Sequence, residues 1–413
     1  MPEIDIRGCE ITGATMAALE AYEGALEASL SWRSGAIERL DVALAAAPTF
    51  VMAHVLRAWL LLSGRDLERI RSARPVLARA ACLPVNERER LHLSAIRAVI
   101  DDDYERAKER LGDILRVHPH DLLALQVAHS FDYLTGDIDC LRARVQSLLP
   151  AWSSDMPGYH ALLAMHAFSL EECGEYERAE RAALDALALN PDDARAHHVM
   201  AHVFEMTDRA DKGIRWMNEH KAGWAMGTIV AVHCWWHVAL FHVALGQRDR
   251  ALAIYDRYIR PGRSSELSDL IDSSALLWRI DLLGGDLDRR WFELADSWAP
   301  HIDDGFCSFN DVHAMLAFVG ARDWTRAQRL ERVLARSHAL PTRHGETTRH
   351  LGLPACRALI AFGRGNDALA VSLLASLPAL AQRDRVDEAV FRDRRHAGLR
   401  RAAPEQRGQA GAL

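Results

Sequence analysis

Two pairs of histidines with a spacing of four residues stand out in the middle of the chain. His198 and His202 form the first pair, with Glu205 three residues further on, and His233 and His237 form the second. Residues four apart lie on the same face of an α-helix. Imidazoles and a carboxylate in this arrangement can hold Zn²⁺ or Fe²⁺, and they can also transfer protons. The sequence contains 20 histidines, which favours a shared role for some of them.

The spacing alone does not make a metal site the preferred interpretation. Histidine pairs of this kind often arise by accident, and Val199 stands where zinc proteases carry a glutamate as general base. The sequence has no phosphate-binding loop, nucleophile elbow or zinc-ribbon spacing, so any catalysis would be acid–base. We therefore predict no cofactor and keep a divalent metal on His198, His202, His233 and His237 as the alternative.

The elements that must position these side chains are Ala- and Leu-rich segments with helical periodicity. The clearest segment begins at Gly174-Glu175-Tyr176 and passes through Ala179 and Ala183 to Pro191. A turn glycine and an aromatic residue are followed there by small residues, which let two helices approach closely, and by a closing proline. This order matches the second half of a tetratricopeptide repeat (TPR).

Copies of the same frame recur along the chain at intervals of about 33–41 residues. Strong copies include Ala43, Tyr104, Gly246, Trp324 and Gly363, and weaker copies centre on Gly64, Gly136, Asp208 and Gly285. The sequence therefore predicts an all-α fold, a right-handed superhelical solenoid of about ten TPR-like helix pairs without a real β-sheet. Tyr104, Tyr176 and Trp324 are expected at equivalent, largely buried turn positions.

The domain organisation follows from the repeats. A helix-pair array buries its core between neighbouring pairs, so we predict one solenoid over residues 13–382. Residues 1–12 are expected to form a short N-terminal lead-in, and extra residues are expected between pairs around 223–227. Residues 383–413 form an Arg-rich C-terminal tail, which we expect to be partly disordered because its last residues lack an apolar face.

The repeat frame also predicts which residues line the concave face, because one stripe of each first helix points inward. The predicted ligand-binding residues are His198, His202, Glu205, His233, Trp236, His237, Asp272, Arg279, Asn310, Asp311 and His313. Candidate catalytic residues among them are His202, His237, Asp272 and His313. Arg279 is expected to anchor an anionic group, and a histidine beside a carboxylate can serve as general base. The alternative is that Asp272, Asp311 and Arg279 pair with each other and join neighbouring repeats.

Other histidines and tryptophans are expected to be packing residues. His129 and His166 fall at positions that face the neighbouring helix, so we predict that both belong to the core. The same interpretation applies to five tryptophans, namely Trp216, Trp224, Trp291, Trp298 and Trp324.

Four blocks of sequence resemble the tetratricopeptide repeat protein 38 family. They are residues 196–206 (AHHVMAHVFEM), 235–242 (WWHVALFH), 272–279 (DSSALLWR) and 309–315 (FNDVHAM), in the same order. The resemblance implies an α-helical repeat protein of the cytosol and supplies no assigned catalytic residue. The blocks coincide with the segments that the repeat frame directs into the groove.

Composition limits the classes of partner. The chain has 50 basic and 57 acidic residues and a net charge of −7, which disfavours nucleic acid as a partner. Its seven cysteines are scattered without a CxxC pair, which is typical of reduced thiols in the cytoplasm. No apolar stretch is long enough for a membrane span, and the first ten residues lack the apolar run of a signal peptide. We therefore predict a cytoplasmic protein with neither a nucleic acid nor a membrane partner.

Two functional hypotheses remain. The first is a TPR-like solenoid whose concave pocket of His, Trp, Asp and Arg binds a small molecule or an anionic group, with enzymatic turnover left open. The alternative is a protein–protein interaction scaffold that binds a peptide or helix in its groove. Lysine is scarce near the predicted groove, whereas grooves that bind peptide carboxylates use lysine, arginine and asparagine. The sequence does not determine the oligomeric state.

Overall fold

The computed structural model describes residues 3–64, 66–284, 287–375 and 377. These residues form two compact units, one that ends at Tyr258 and one that begins at Ile259, and each is described by itself. The predicted turn at Gly285 and the predicted C-terminal tail, 383–413, lie outside the described residues. The prediction of one solenoid over 13–382 stays a prediction.

The first unit begins with a short antiparallel hairpin, in which β1 (Glu3–Ile4) pairs with β2 (Glu10–Ile11). This hairpin occupies the predicted lead-in. The helices that follow are α1 Met16–Leu30, α2 Ala36–Ala46, α3 Val51–Leu62, α4 Leu67–Ala81, α5 Glu87–Ile100, α6 Tyr104–Val117, α7 Leu122–Leu134, α8 Ile138–Leu148, α9 Tyr159–Glu172, α10 Tyr176–Leu189, α11 Ala194–Met206, α12 Ala210–Glu219, α13 Lys221–Trp224, α14 Ala231–Ala244 and α15 Arg248–Ile254.

The second unit contains α16 Leu267–Leu282, α17 Asp288–Trp298, α18 Ser308–Gly320, α19 Trp324–Ser337, α20 Arg343–Thr347, α21 Leu353–Gly363 and α22 Asp367–Leu374. Single 3₁₀ turns cover Leu149–Ala151 and Ala299–His301, and π-helical turns cover Tyr255–Ile259 and Thr348–Gly352. None of the helices in the described part of the chain is long and apolar enough to cross a membrane.

Consecutive helices pack as antiparallel pairs. In the described residues the pairs are α1/α2, α3/α4, α5/α6, α7/α8, α9/α10, α11/α12, α14/α15, α16/α17, α18/α19 and α21/α22, which makes ten. The predicted fold class, an all-α solenoid of TPR-like helix pairs, is confirmed. The short helix α13 and the loop after it are the extra residues that the sequence predicted around 223–227.

The turn inside a pair has a recurring backbone geometry. A residue with positive φ ends the first helix, such as Asp102 (φ 63°) or Gly174 (φ 77°). The next N–H donates to the carbonyl five residues earlier, for example from Glu175 to Leu170 at 2.9 Å. This bond satisfies a carbonyl that the helix end leaves open, and glycine reaches the left-handed conformation without strain. The glycines and aspartates in the sequence frame mark this turn.

The aromatic residue after the turn is less buried than predicted. Tyr104, Tyr176 and Trp324 are equivalent, because each is the first residue of the second helix in its pair. All three are half-buried rather than largely buried. The first residue of a helix borders the exposed turn, so part of the ring stays accessible even where it packs, as Tyr104 does against Phe131 of α7 at 5.1 Å between ring centroids.

In the first unit the chain closes on itself. The loop between α1 and α2 meets the start of α11, where the Ala194 N–H donates to the Ser31 carbonyl at 3.1 Å. It also meets the segment before α14, where the Ile229 N–H donates to the Trp32 carbonyl at 3.0 Å. The first helix pair thus contacts the start of the sixth pair and the segment that precedes the seventh. This closure positions Trp32 beside α11.

Candidate functional site

The two histidine pairs lie side by side on α11 and α14. His198 and His237 are buried, while His202 and His233 are half-buried. The nitrogen atoms that the four rings can offer to a ligand all lie within 4.8 Å of one another. The closest contact joins Nε2 of His202 to Nε2 of His198 at 3.0 Å. We call these four residues the histidine cluster.

Two carboxylates lie behind the histidine cluster. Oε2 of Glu205 accepts a hydrogen bond from Nδ1 of His237 at 2.8 Å, and this leaves Nε2 as the coordinating nitrogen of that ring. Oε2 of Glu171, on α9, lies 3.5 Å from Nδ1 of His202. Carboxylates on the far nitrogen fix the tautomer and ring orientation of metal-binding histidines. The same arrangement can also orient a histidine that acts as a base.

Aromatic rings enclose the cluster on several sides. Phe168 of α9 lies nearly parallel to His198, with ring centroids 6.4 Å apart, and Trp236 stacks on His233 at 5.3 Å. Trp32 reaches His198 from the α1–α2 loop, with ring centroids 5.5 Å apart. Trp32 has a left-handed backbone (φ 55°), which a bulky residue adopts only at a cost of about 1–2 kcal/mol. The contacts of the α1–α2 loop with α11 and with the segment before α14 hold Trp32 in this conformation.

The surroundings of His198 favour its neutral form. Burial lowers the pKa of His198 well below its usual value, and the neighbouring histidines and Arg195 lower it further. A neutral imidazole keeps a lone pair for a metal or a proton. In the metal-free protein His198 therefore offers a nitrogen lone pair rather than a positive charge.

The four rings have the chemistry of a site for a divalent transition metal. Imidazole nitrogens suit Zn²⁺, Cu²⁺, Ni²⁺ and Fe²⁺. Tetrahedral Zn²⁺ with Zn–N bonds of about 2.0–2.1 Å needs nitrogens separated by roughly 3.3 Å. The observed limit of 4.8 Å requires only side-chain adjustment. His202, Glu171 and Glu172 form a second, overlapping group of candidate ligands.

The predicted site residues of the second unit lie on two packed helices. Asp272 and Arg279 belong to α16, while Asn310, Asp311 and His313 belong to α18. All except Asn310 are buried. The guanidinium of Arg279 donates to the Ala275 carbonyl at 3.2 Å, and Nδ1 of His313 contacts the Phe309 carbonyl at 2.8 Å. The structure therefore brings the histidine-cluster residues, Glu205 and Trp236 together in one unit and these five in the other.

Asp311 does not take part in the ion pair that the sequence left as an alternative. Among the described residues its Oδ2 atom has no hydrogen-bond partner. Burial, with the negative charge of Asp304, raises the pKa of Asp311 to about 8, so the carboxyl is largely protonated at neutral pH. Asp311 and Arg279 thus do not form the link between repeats that the sequence left as an alternative.

Sequence reasoning missed three residues beside the cluster. Trp32 arrives from the first helix pair through the chain closure, Glu171 comes from α9 of the preceding pair, and Arg195 precedes His198 by about one helical turn on α11. A helical wheel through α11 places Arg195 near His198, and this signal was available. The position of Trp32 depends on contacts between distant repeats, which no local pattern contains.

The core predictions for the other histidines and tryptophans are mostly confirmed. His129 is buried, and its Nε2 contacts the Met165 carbonyl at 3.1 Å. His166 is only half-buried. Trp224, Trp291 and Trp298 are fully buried, whereas the remaining two tryptophans are half-buried.

One surface depression of about 530 Å³ lies between α17 and α19 in the second unit and is lined by Phe292, Trp324 and Arg326 among others. It contains none of the predicted ligand-binding residues. This depression therefore adds nothing to the site.

Comparison with known proteins gives a helical-repeat likeness at low similarity. No protein-family model matches the chain. The Cut9–Hcn1 hetero-tetramer of APC/C aligns with a TM-score of 0.40 and 12% identity, over 84% of this chain and 63% of that chain, less than two thirds of its length. The human IFIT1 dimer with m7Gppp-AAAA aligns with a TM-score of 0.37 and 12% identity, over 97% and 96%. The TPR domain of P58(IPK) aligns with a TM-score of 0.23 and 12% identity, over 94% and 98%. These scores carry no argument about function, and the TPR-like class rests on the helix pairs themselves.

Proposed function

We propose that the first unit is a ligand-binding helical-repeat module whose histidine cluster holds a divalent transition metal. One observation carries the proposal: four imidazoles from two adjacent helices offer nitrogens within 4.8 Å of one another. Glu205 and Glu171 stand behind two of the rings, as carboxylates do behind metal-bound histidines.

The expectation from sequence was that no cofactor binds, because a histidine pair on a single helix is a weak signal. Two pairs that face each other, with carboxylates behind them, form a stronger one. Packing alone is a poor account of the cluster, since burying several polar rings side by side costs free energy that apolar residues would not cost.

The half-buried rings define what the site can do. His202 and His233 leave one side of the cluster accessible, so a metal that takes five or six ligands, such as Fe²⁺ or Ni²⁺, has room for a water molecule or a small ligand beside the four imidazoles. Binding of a small molecule on the metal is the function that this geometry supports best. A peptide groove is less favoured, because the α1–α2 loop of the same chain already lies against α11 and the segment before α14.

Family and location belong to the same proposal. The four sequence blocks support a relation to the tetratricopeptide repeat protein 38 family, and the reduced-thiol pattern supports a cytoplasmic location. Neither inference is needed for the metal site.

The test is metal binding by the purified, metal-free chain. Titration with Co²⁺, followed by visible absorption and elemental analysis, is expected to give one tightly bound ion per chain. His198→Ala and the half-buried His202→Ala should each lower the affinity at least tenfold, since each removes one of four ligands. His120→Ala, which removes a half-buried histidine outside the cluster, is the matched control and should bind as the wild type does. Equal Co²⁺ binding by all four proteins would refute the proposal.

A further inference from the structure

The guanidinium of Arg195 is a buried charge with no carboxylate bound to it. The residue is 3% exposed. Within the described part of the chain its guanidinium makes no hydrogen bond or ion pair, and its Nε atom is fully enclosed. Arg88 is equally buried and its Nε also lacks a partner, but its Nη1 donates to Oδ2 of Asp121 at 2.7 Å, so its charge is paired.

The carboxylate closest to Arg195 in sequence is already engaged elsewhere. Oδ2 of Asp193 contacts Nδ1 of His160 at 2.7 Å. Oδ1 of Asp193 accepts the N–H of Ala196 at 3.1 Å and caps α11. Asp193 therefore acts on Arg195 only at longer range. Burial lowers the pKa of Arg195 to about 10, with Asp193 opposing, and the side chain remains charged at neutral pH.

Arg195 lies next to the histidine cluster. It precedes His198 by three residues on α11, which corresponds to about 4.5 Å along the helix axis. Its guanidinium stacks over the ring of Trp32 at 4.6 Å, and Trp32 in turn packs against His198. Stacking uses the face of the guanidinium and leaves its in-plane N–H groups free to donate.

A buried charge without a partner costs several kcal/mol, so its presence calls for an anion that completes it. The edge of a guanidinium offers two parallel N–H donors, which match the oxygens of a carboxylate or a phosphate. A bound divalent metal would add to the positive charge around this position, and Glu171 and Glu205 would offset only part of the total.

We propose that Arg195 is the anchor for an oxyanion, a carboxylate or a phosphate group, of the small molecule that binds beside the histidine cluster. The presence of a metal beside the anion rests on the proposed function. The anion site itself does not depend on the metal. Since Arg195 and His198 are one helical turn apart, the ligand has its anionic group within a few ångströms of the metal ligands. The site thus selects a small organic acid or a phosphate ester.

The test uses the full chain and two simple probes, acetate and inorganic phosphate. Binding of each probe to the metal-free protein is measured by calorimetry at constant ionic strength, and acetate is measured again on the Co²⁺-loaded protein. We expect Arg195→Gln to weaken the binding of the preferred probe by about tenfold or more, and Arg195→Lys to restore only part of it. Arg181→Gln, which changes an exposed arginine on α10, is the matched control and should bind as the wild type does.

The outcomes separate the two proposals. Retained Co²⁺ stoichiometry in Arg195→Gln, together with lost anion binding, supports the anchor, and the preferred probe tells a carboxylate ligand from a phosphate ligand. Anion binding that depends on Arg195 in a protein that binds no Co²⁺ supports the anchor and removes the metal proposal. No binding of either probe by the wild type, or equal binding by Arg195→Gln, overturns the anchor.

Discussion

His160 and His198 are both buried in the first unit, yet their surroundings push their pKa values in opposite directions. Nδ1 of His160 lies 2.7 Å from Asp193 and Nε2 lies 3.0 Å from Glu27. Burial opposes protonation of His160, but these two hydrogen bonds outweigh it and raise its pKa to about 9. His198 has histidines and Arg195 as neighbours, so burial and charge act together and lower its pKa.

Burial lowers the pKa of both residues, so the opposite directions come from the neighbouring charges. Protonated His160 pairs with the carboxylates of Glu27 and Asp193 and so links α9 to α1 and to the start of α11. His198 is a neutral imidazole whose nitrogen can coordinate a metal together with the rest of the cluster. The two residues lie on first helices of neighbouring repeats, α9 and α11, so the repeat frame alone does not distinguish them.

The largest expected effect comes from removing the buried ion pair between His160 and Asp193. Asp193→Asn keeps a side-chain oxygen for the helix cap but removes the buried charge that His160 needs. We expect the free energy of unfolding in urea to fall by about 3 kcal/mol, as when one partner of a buried pair is removed. Asp192→Asn, at the exposed neighbouring position, is the control and should change the stability by less than about 0.5 kcal/mol. Equal stability of the two variants would show that the His160–Asp193 ion pair does not stabilise the fold.

The next effect concerns metal binding by the histidine cluster. At a free metal concentration of 100 times the dissociation constant, bound metal should stabilise the chain by about 2.7 kcal/mol. Addition of a chelator should therefore lower the midpoint of thermal unfolding of the metal-loaded wild type. His198→Ala should show a clearly smaller response, since a tenfold weaker affinity leaves at most about 1.4 kcal/mol at the same metal concentration. A chelator response of equal size in both proteins would place the metal elsewhere.

The pH dependence of stability should show the charge on His160. Because the folded pKa is raised to about 9 from a usual value near 6.5, the folded state binds the proton more tightly. The stabilisation is therefore fully present below about pH 6.5 and is lost as the pH rises through about 9. Urea unfolding of the wild type and of His160→Gln between pH 6 and 10 measures it. The stability difference between the two proteins should shrink over that range, and a constant difference would contradict the assignment.

The smallest expected effect concerns Arg195 without its ligand. Arg195→Met removes a buried charge that has no carboxylate bound to it, so the free energy of unfolding should rise by about 1 kcal/mol in ligand-free buffer. Loss of the stacking on Trp32 limits the gain. Chemical denaturation of the two proteins checks it. A loss of stability would mean that Arg195 serves the fold rather than a ligand.

The helix pairs and the histidine pairs could both be predicted from the sequence. Both depend on contacts between residues three or four apart, or on turn residues with a left-handed backbone, and such local physics is readable from spacing. Glycines and aspartates marked turns such as those at Gly174 and Asp102, and the spacing of four placed His198 with His202 and His233 with His237.

The residues that surround the histidine pairs depend on tertiary contacts. The packing of α11 against α14 brought the two histidine pairs together, and the closure of the first helix pair onto the sixth and seventh delivered Trp32 to His198. The same closure set Glu27 beside His160, 133 positions further along the chain. Contacts between residues so far apart depend on the summed rotation from one repeat to the next, which is a property of the whole stack rather than of any segment.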